Sequence, residues 1–261
     1  MMVLLALACT HSGTFEALTY NVAGLPQGLS SSDPERFIPQ MGVLFVPYDL
    51  VLVQEDFAYH DDLVVGTDHP YRSEPAIPVE ELVNDGLNRF SRFPFDPVER
   101  TRWTDCNGVL DDGSDCLAEK GFSTALTHFH DKAPVTVVNH HADAGGSEDD
   151  IATRASNFAQ LAAALEGVDG PILMAGDTNL RVDTRPGDAD TLGAFLEATG
   201  LQDVCTALAC GEEHIDRFFF RSGDEVTVEP QSWRVATEMV SPEGDDLSDH
   251  PAIAVVFSWS F

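Results

Sequence analysis

Pro171-Ile172-Leu173-Met174-Ala175-Gly176-Asp177-Thr178-Asn179 is the segment from which the architecture of this 261-residue chain can be worked outward. Four apolar residues in a row, bounded by Pro171 and Gly176, are too few for a helix and lack a polar face. That pattern is expected of a strand buried on both sides of a sheet. The run then breaks into Gly-Asp-Thr-Asn, at the carboxyl end where open α/β sheets hold their ligands. Taken alone, Gly-Asp-x-Asn is also an ordinary Asx-turn. Four other segments repeat the arrangement. Leu18–Val22 ends on Asn21, Val51–Glu55 on a carboxylate, Val137–Gly145 passes through His140 and His141, and Leu247–Pro251 places Asp249-His250 just before the last apolar run. Five polar clusters, each at a strand end, are more than turn chemistry requires.

Around these ends, strands are predicted at Glu16–Asn21, Leu50–Gln54, Ser123–Phe129, Val135–His140, Ile172–Ala175, Ile215–Phe220 and Ala252–Ser258. Helical spacing predicts Pro34–Val43 with Asp33 as N-cap. It also predicts Ile151–Leu165, with Ile151, Ala155, Phe158, Leu161 and Leu165 on one face, and Thr191–Thr199 stopped by Gly200. Many strands follow one another without a helix, so a purely parallel doubly wound sheet fits less well than a two-layer or four-layer α/β arrangement. The stretch Tyr59–Glu119, rich in Pro, Asp and Gly, reads as long loops. No internal repeat or later membrane segment is evident.

The strand-end residues supply what cleavage of a phosphodiester needs. A hard divalent cation takes carboxylate and amide oxygens, for which Glu55, Asn21 and Asp249 are candidates. A water nucleophile needs a base, for which the Asp249-His250 dipeptide is the candidate, with Asp177 suited to orient the water. Fixed donors for the phosphoryl oxygens can come from His141 and the Asn179 amide.

Composition narrows the partners. Fourteen basic against 44 acidic residues give a net charge of -30, and Lys120 and Lys132 are the only lysines. Such a field repels a phosphate backbone, so a dedicated nucleic-acid-binding role is disfavoured. The N-terminal Met1–Thr10 carries a short apolar run ending in Ala6-Leu7-Ala8-Cys9, similar to a secretory or lipoprotein leader. We therefore expect a leader over 1–13 and one domain over 14–261, secreted or lipid-anchored at a bacterial envelope. The remaining cysteines fall into two close pairs, Cys106 with Cys116 and Cys205 with Cys210, and two disulfides are the economical expectation in an oxidising compartment.

Several motifs together resemble the endonuclease/exonuclease/phosphatase superfamily. They are Thr19-Tyr20-Asn21-Val22, Gln54-Glu55, Gly86-Leu87 with Ser91-Arg92-Phe93-Pro94, Asn139-His140-His141, Gly176–Asn179, Ile215-Asp216-Arg217 and Ser248–Pro251. The resemblance spans nearly the whole chain. It implies an α+β four-layer sandwich, two mixed β-sheets packed face to face with helices outside. It further implies Asn21 and Glu55, with Asp249, at a Mg2+ site (Mn2+ or Ca2+ being alternatives), and His141 as the phosphate contact. Asp177 and Asn179 would manage water and phosphate, and Asp249 with His250 would form a carboxylate–histidine base pair. His140 stands where the family carries Thr. Arg154 and Gln160 match a family pattern on the helix after the histidine strand, where helix packing is an equal alternative to function.

Asp115–Gly121 resembles a segment of the bacterial and neutral sphingomyelinases and contains Lys120. Lys120, Arg154 and Asp216 are the candidate substrate-binding residues. The expectation is a monomeric, metal-dependent phosphodiesterase acting on a lipid headgroup or small phosphodiester, with peripheral membrane contact. An extracellular nuclease and a non-catalytic binding protein are the alternatives.

Overall fold

The computed structural model describes residues 11–79, 83–108, 115–211 and 214–261. Two six-stranded mixed sheets form the frame. The first contains β1 (Ser12–Asn21), β2 (Leu50–Gln54), β3 (Tyr71–Arg72), β4 (Asn88–Ser91), β11 (Thr227–Val235) and β12 (Ile253–Ser260), in the order β11-β12-β1-β2-β4-β3. The second contains β5 (Glu99–Arg102), β6 (Gly121–His130), β7 (Ala133–His141), β8 (Ile172–Asp177), β9 (Gln202–Asp203) and β10 (Asp216–Arg221), in the order β5-β6-β7-β8-β10-β9. Each sheet has one parallel pair at its centre, β1 with β2 and β7 with β8, flanked by antiparallel neighbours. Parallel pairs need a crossover. Helix α1 (Pro34–Phe45) provides it in the first sheet and α3 (Glu148–Leu165) in the second, with the short α2 (His60–Leu63) between them in the chain.

Three apolar cores make this a four-layer sandwich. Phe15, Leu50, Leu52 and Phe257 from the first sheet meet Val135, Val137, Leu173 and Phe218 from the second. On the outer face of the first sheet, Leu18, Val51 and Val53 pack against Phe37, Ile38, Met41 and Phe45 of α1. On the outer face of the second, Val138, Ile172, Met174 and Phe219 pack against Phe158, Leu161 and Leu165 of α3 and Phe195 of α4 (Pro186–Thr199). Strands β2 and β8 are buried along their whole length, as the unbroken apolar runs predicted. At about 25 cal/mol per Å2, burial on both faces of these central strands drives the two sheets together.

Several local expectations shift. Ser12 and Gly13, placed with the leader, begin β1 and pair with Ser260 and Trp259, and His11 before them exchanges backbone hydrogen bonds with Phe261; residues 1–10 of the expected leader, Cys9 included, lie outside the described residues. Asp33 sits at the N-cap of α1 but caps through its carbonyl, which accepts from the Arg36 and Phe37 amides at 3.1 and 3.0 Å, not through its side chain. Helix α3 starts three residues early on a Ser147/Asp150 capping box, and it buries Arg154 and Asn157 in place of Ile151 and exposed Ala155. The first half of that helix covers the loop after β7, whose carbonyls demand donors rather than methyl groups. The region 59–119, read as loops, holds α2 and strands β3, β4 and β5. Gly200 closes α4 in the left-handed region, as expected (φ 66°). Both disulfides are formed, Cys106–Cys116 with Cα atoms 5.3 Å apart and Cys205–Cys210 with 4.9 Å.

Candidate active site

The two parallel pairs end at the same edge of the sandwich. β1 delivers Asn21, β2 delivers Glu55 one residue past its end, β7 delivers His141 and β8 delivers Asp177. Asn21 joins the two sheets: its Nδ2 donates to Glu55 Oε1 and to Asp177 Oδ2, each at 3.1 Å. Its Oδ1 accepts from the Ala23 amide at 3.0 Å. Asn21 therefore bridges the two carboxylates through its amide N–H groups, while its Oδ1 keeps one lone pair beyond the Ala23 bond.

Glu55 holds an uncommon backbone conformation, with φ 58°. The adjoining segment of the same chain packs tightly against it. Gly86 approaches so closely that a Cβ there would lie 2.9 Å from Glu55 Cα and 2.6 Å from the Phe57 ring. With its side chain 20 % exposed, Glu55 is the accessible acid of the cluster.

Asp177 lies at the centre. His141 Nε2 stands 3.3 Å and His250 Nε2 3.8 Å from its Oδ2, while its Oδ1 accepts from the Asn179 amide at 2.9 Å. Burial opposes its charge, but His250, His141 and more distant Lys120 hold the carboxyl well below the usual range. Asn179, at φ 52°, donates its Nδ2 to the Ala142 carbonyl at 3.1 Å and sits half-buried at the rim.

The partner of His250 is a correction to the sequence expectation. His250 Nδ1 lies 2.9 Å from Asp216 Oδ2, and Asp216 is buried. Asp249 is exposed and instead takes a hydrogen bond from the Ser31 hydroxyl. Asp249 therefore does not hold the His250 ring, whose Nδ1 is taken by Asp216. Asp216, placed among the substrate contacts, is thus the residue that braces the histidine.

His250 loses some proton affinity to burial, but Asp177 and Asp216 on either side outweigh this and raise it to about 10. The pair with Asp216 accordingly holds one proton. The stability this contributes is complete below about pH 6.5 and is lost as pH rises through about 10. In an NMR titration of the metal-free chain, the His250 imidazole should stay protonated through neutrality, and Asp216→Asn should lower its midpoint by more than one unit. A midpoint near 6.5 in the parent chain would contradict the geometry.

Other sequence candidates fall outside the cluster. Arg154 is fully buried and contacts no open surface. It pairs with Asp188 at 2.9 Å and donates to the carbonyls of Asp143, Ala144 and Gly145 at 3.2, 2.9 and 3.1 Å, so its role is to clamp the loop after β7. Gln160 likewise bonds Thr104 and the Arg102 carbonyl. His140 points to the outer face of its sheet, against Phe158 and Phe219, with Nδ1 on the Ala175 carbonyl at 3.0 Å. Burial lowers it to about 4, which keeps it neutral, and the family's Thr position is here part of the core.

Gln54 and Asn139 carried the family resemblance but were assigned no role from sequence, and Asn88 was not singled out. Gln54 Nε2 donates to Asn139 Oδ1 at 2.8 Å, and Asn139 Nδ2 reaches the Val53 and Asn88 carbonyls at 2.9 and 3.1 Å. These amides tie the sheets together directly beneath the acids. The signal available was an amide ending each apolar run.

Residues 18–250 match the Endonuclease/Exonuclease/phosphatase family. The chain belongs to this family. It is 30% identical over 275 residues to a sphingomyelinase of Mycobacterium tuberculosis, an alignment covering 96% of this chain and 54% of that protein. It thus spans about half the length of the curated relatives it matches. Among solved structures it resembles Staphylococcus aureus beta toxin (TM-score 0.69, 16% identity, 92% of this chain and 99% of the toxin). It also resembles sphingomyelinase C from Streptomyces griseocarneus (TM-score 0.68, 19% identity, 94% and 99%). Humanized D. rerio TDP2 is equally similar in fold (TM-score 0.70, 17% identity, 94% and 98%).

Proposed function

We propose that this family member hydrolyses phosphodiesters with a divalent cation, Mg2+ foremost, and that its substrate carries a lipid headgroup or a similar small phosphodiester. The observation that carries this reading is the convergence of Glu55, Asp177 and Asp216 with His141 and His250 at one edge of both sheets. Ligand atoms of Asp177, Asp216 and His250 all lie within 4.8 Å of one another. Asp216 Oδ1 is buried with no hydrogen-bond partner among the described residues. Burial and the Asp177 charge raise Asp216 to about 6 despite the His250 cation, so the cluster holds more negative charge than its own cations balance. An oxygen-rich, partly accessible acid set of this kind fits a hard cation, held by Glu55 with Asp177 or Asp216.

Such a cation supplies neutralisation of the phosphoryl oxygens as charge builds on them. The chain's own residues do the rest. Asp177, ionised and flanked by donors, orients the attacking water; as the new P–O bond forms and the ester P–O bond breaks, the water's proton passes through Asp177 to solvent and the departing ester oxygen takes up a proton from solvent. His141 Nε2 and His250, the latter braced by Asp216, are the fixed donors for the phosphoryl oxygens. Lys120 adds positive potential from the rim.

The sphingomyelinase relative, the net charge of -30 and the Lys120 segment favour a lipid headgroup over nucleic acid. Bound magnesium ions in a beta toxin structure support the choice of metal. The two disulfides favour action outside the cytosol. A nuclease reading draws on one observation, the likeness to a D. rerio TDP2 complexed with single strand DNA product.

Comparing choline-phosphate release from sphingomyelin vesicles with nicking of plasmid DNA, in Mg2+ and in chelator, separates the two. The expected result is lipid turnover lost in chelator and restored by Mg2+. Plasmid cleavage without lipid turnover would transfer the chain to the nucleases, and turnover of neither would remove the hydrolase reading.

A further inference from the structure

Asp56 follows Glu55 in the chain, is wholly buried and has no part in the hydrolysis described above. Its Oδ2 takes His60 Nδ1 of α2 at 2.5 Å and Asn88 Nδ2 of β4 at 2.8 Å. Its Oδ1 is buried with no hydrogen-bond partner among the described residues. Burial works against a charge on His60, but the hydrogen bond and charge of Asp56 outweigh it and raise the proton affinity of the ring. Asn88 is fixed in one orientation. Its Oδ1 accepts from the Ser73 hydroxyl at 3.1 Å and from Arg100 at 3.0 Å, which turns the amide N–H groups toward Asp56.

Replacing a buried ion pair by apolar groups is often neutral or stabilising, so stability alone does not account for a pair whose second carboxylate oxygen goes unmatched. Its position gives it another use. Glu55 sits in the left-handed region at φ 58°, and the peptide unit that follows is gripped at both ends. The Glu55 carbonyl accepts from the Gly24 and Phe57 amides at 3.0 and 2.9 Å, and the Asp56 amide donates to the Gly86 carbonyl at 3.1 Å. Gly24 comes so close that a Cβ there would lie 2.4 Å from the Glu55 carbonyl oxygen. The Asp56 side chain is the next anchor along, tied to α2 through His60 and to β4 through Asn88. With that anchor loose, the chain past Glu55 is free to turn back toward the extended region that a residue with a Cβ prefers, and the Glu55 carboxylate then leaves Asn21.

We propose that the Asp56–His60 pair is a positioning device for Glu55, holding it in the left-handed conformation from which its carboxylate meets the cation. His60 is then a positioning residue that sets metal affinity through Asp56 and Glu55. This role rests on the divalent-cation reading and adds a determinant of affinity that lies outside the acid cluster.

Mn2+ binding to the metal-free chain, followed by electron paramagnetic resonance, tests the role without turnover. His60→Ala removes a cation from the neighbourhood of the acids, so charge alone would tighten Mn2+ binding. Loss of position acts in the opposite direction, and Kd should rise about tenfold or more, as when the partners that orient metal ligands are removed. His60→Leu, which keeps an apolar group against Phe90, should do the same and serves if the truncation does not fold. Leu63→Ala is the control. Leu63 is buried in the same short helix, so its truncation should lower Tm and leave Kd unchanged. A Kd unchanged or lowered in the His60 variants, or raised as far by Leu63→Ala, would overturn the positioning role while leaving the metal site in place. Absence of Mn2+ binding by the parent chain would remove the metal reading and the positioning role with it.

Discussion

Asp177→Asn should lower kcat by about 10^3-fold or more while the chain still folds, because one substitution removes the acceptor shared by every catalytic donor. Asp177 Oδ2 takes Asn21 Nδ2 at 3.1 Å and faces His141 Nε2 at 3.3 Å and His250 Nε2 at 3.8 Å. An amide in its place turns either a neutral oxygen or a donor toward these groups, and the orienting charge for water is lost. The matched control is Asp249→Asn. Asp249 is exposed and bonded to Ser31, so its loss should cost about tenfold or less in kcat. Steady-state turnover of a phosphodiester in Mg2+ with thermal melts of both variants checks this. Equal damage from the two substitutions would restore Asp249 to the centre and contradict the Asp216–His250 pairing.

The largest effect on stability is expected at Gly176. A Cβ there would lie 1.9 Å from the His140 carbonyl oxygen and 2.8 Å from His140 Nδ1, at φ 154°. The obstacle is backbone of the adjacent parallel strand, paired residue for residue as His140 with Gly176, and it cannot swing aside. Gly176→Ala should therefore cost at least about 3 kcal/mol, seen as a fall in Tm of about 6 °C or more for a chain of this size. Gly193 is the contrast. It lies inside α4, and a methyl group added there would meet no described atom within 4 Å other than its chain neighbours and the backbone of its own helix turns. Gly193→Ala should stabilise by about 0.5–1 kcal/mol through helix propensity. A destabilised Gly193 variant, or a tolerated Gly176 variant, would mean that the β7–β8 contact is looser than described.

The central strands were legible because burial on both faces leaves an unbroken apolar run, as in Leu50–Gln54 and Ile172–Ala175. Their polar ends announced Asn21, Glu55, His141 and Asp177 for the same reason. Peripheral strands carried no such mark: β3 is two exposed residues and β5 alternates exposed with half-buried polar ones. Within the site, adjacency in sequence misdirected the pairing. Asp249 sits beside His250 in the chain, whereas Asp216 reaches it from a strand of the other sheet across 34 residues. Periodicity also hid Arg154, whose helical position matched a family pattern but whose N–H groups are spent on Asp188 and three loop carbonyls.

The bridge made by Asn21 between Glu55 of one sheet and Asp177 of the other has a consequence for the unfolding of this protein. Neither sheet owns a complete reaction centre, so hydrolysis can occur only while both halves remain docked. Turnover is therefore a gauge of quaternary-like assembly inside a single chain. In rising denaturant it should vanish at the first loosening between the halves, while circular dichroism still registers intact strands.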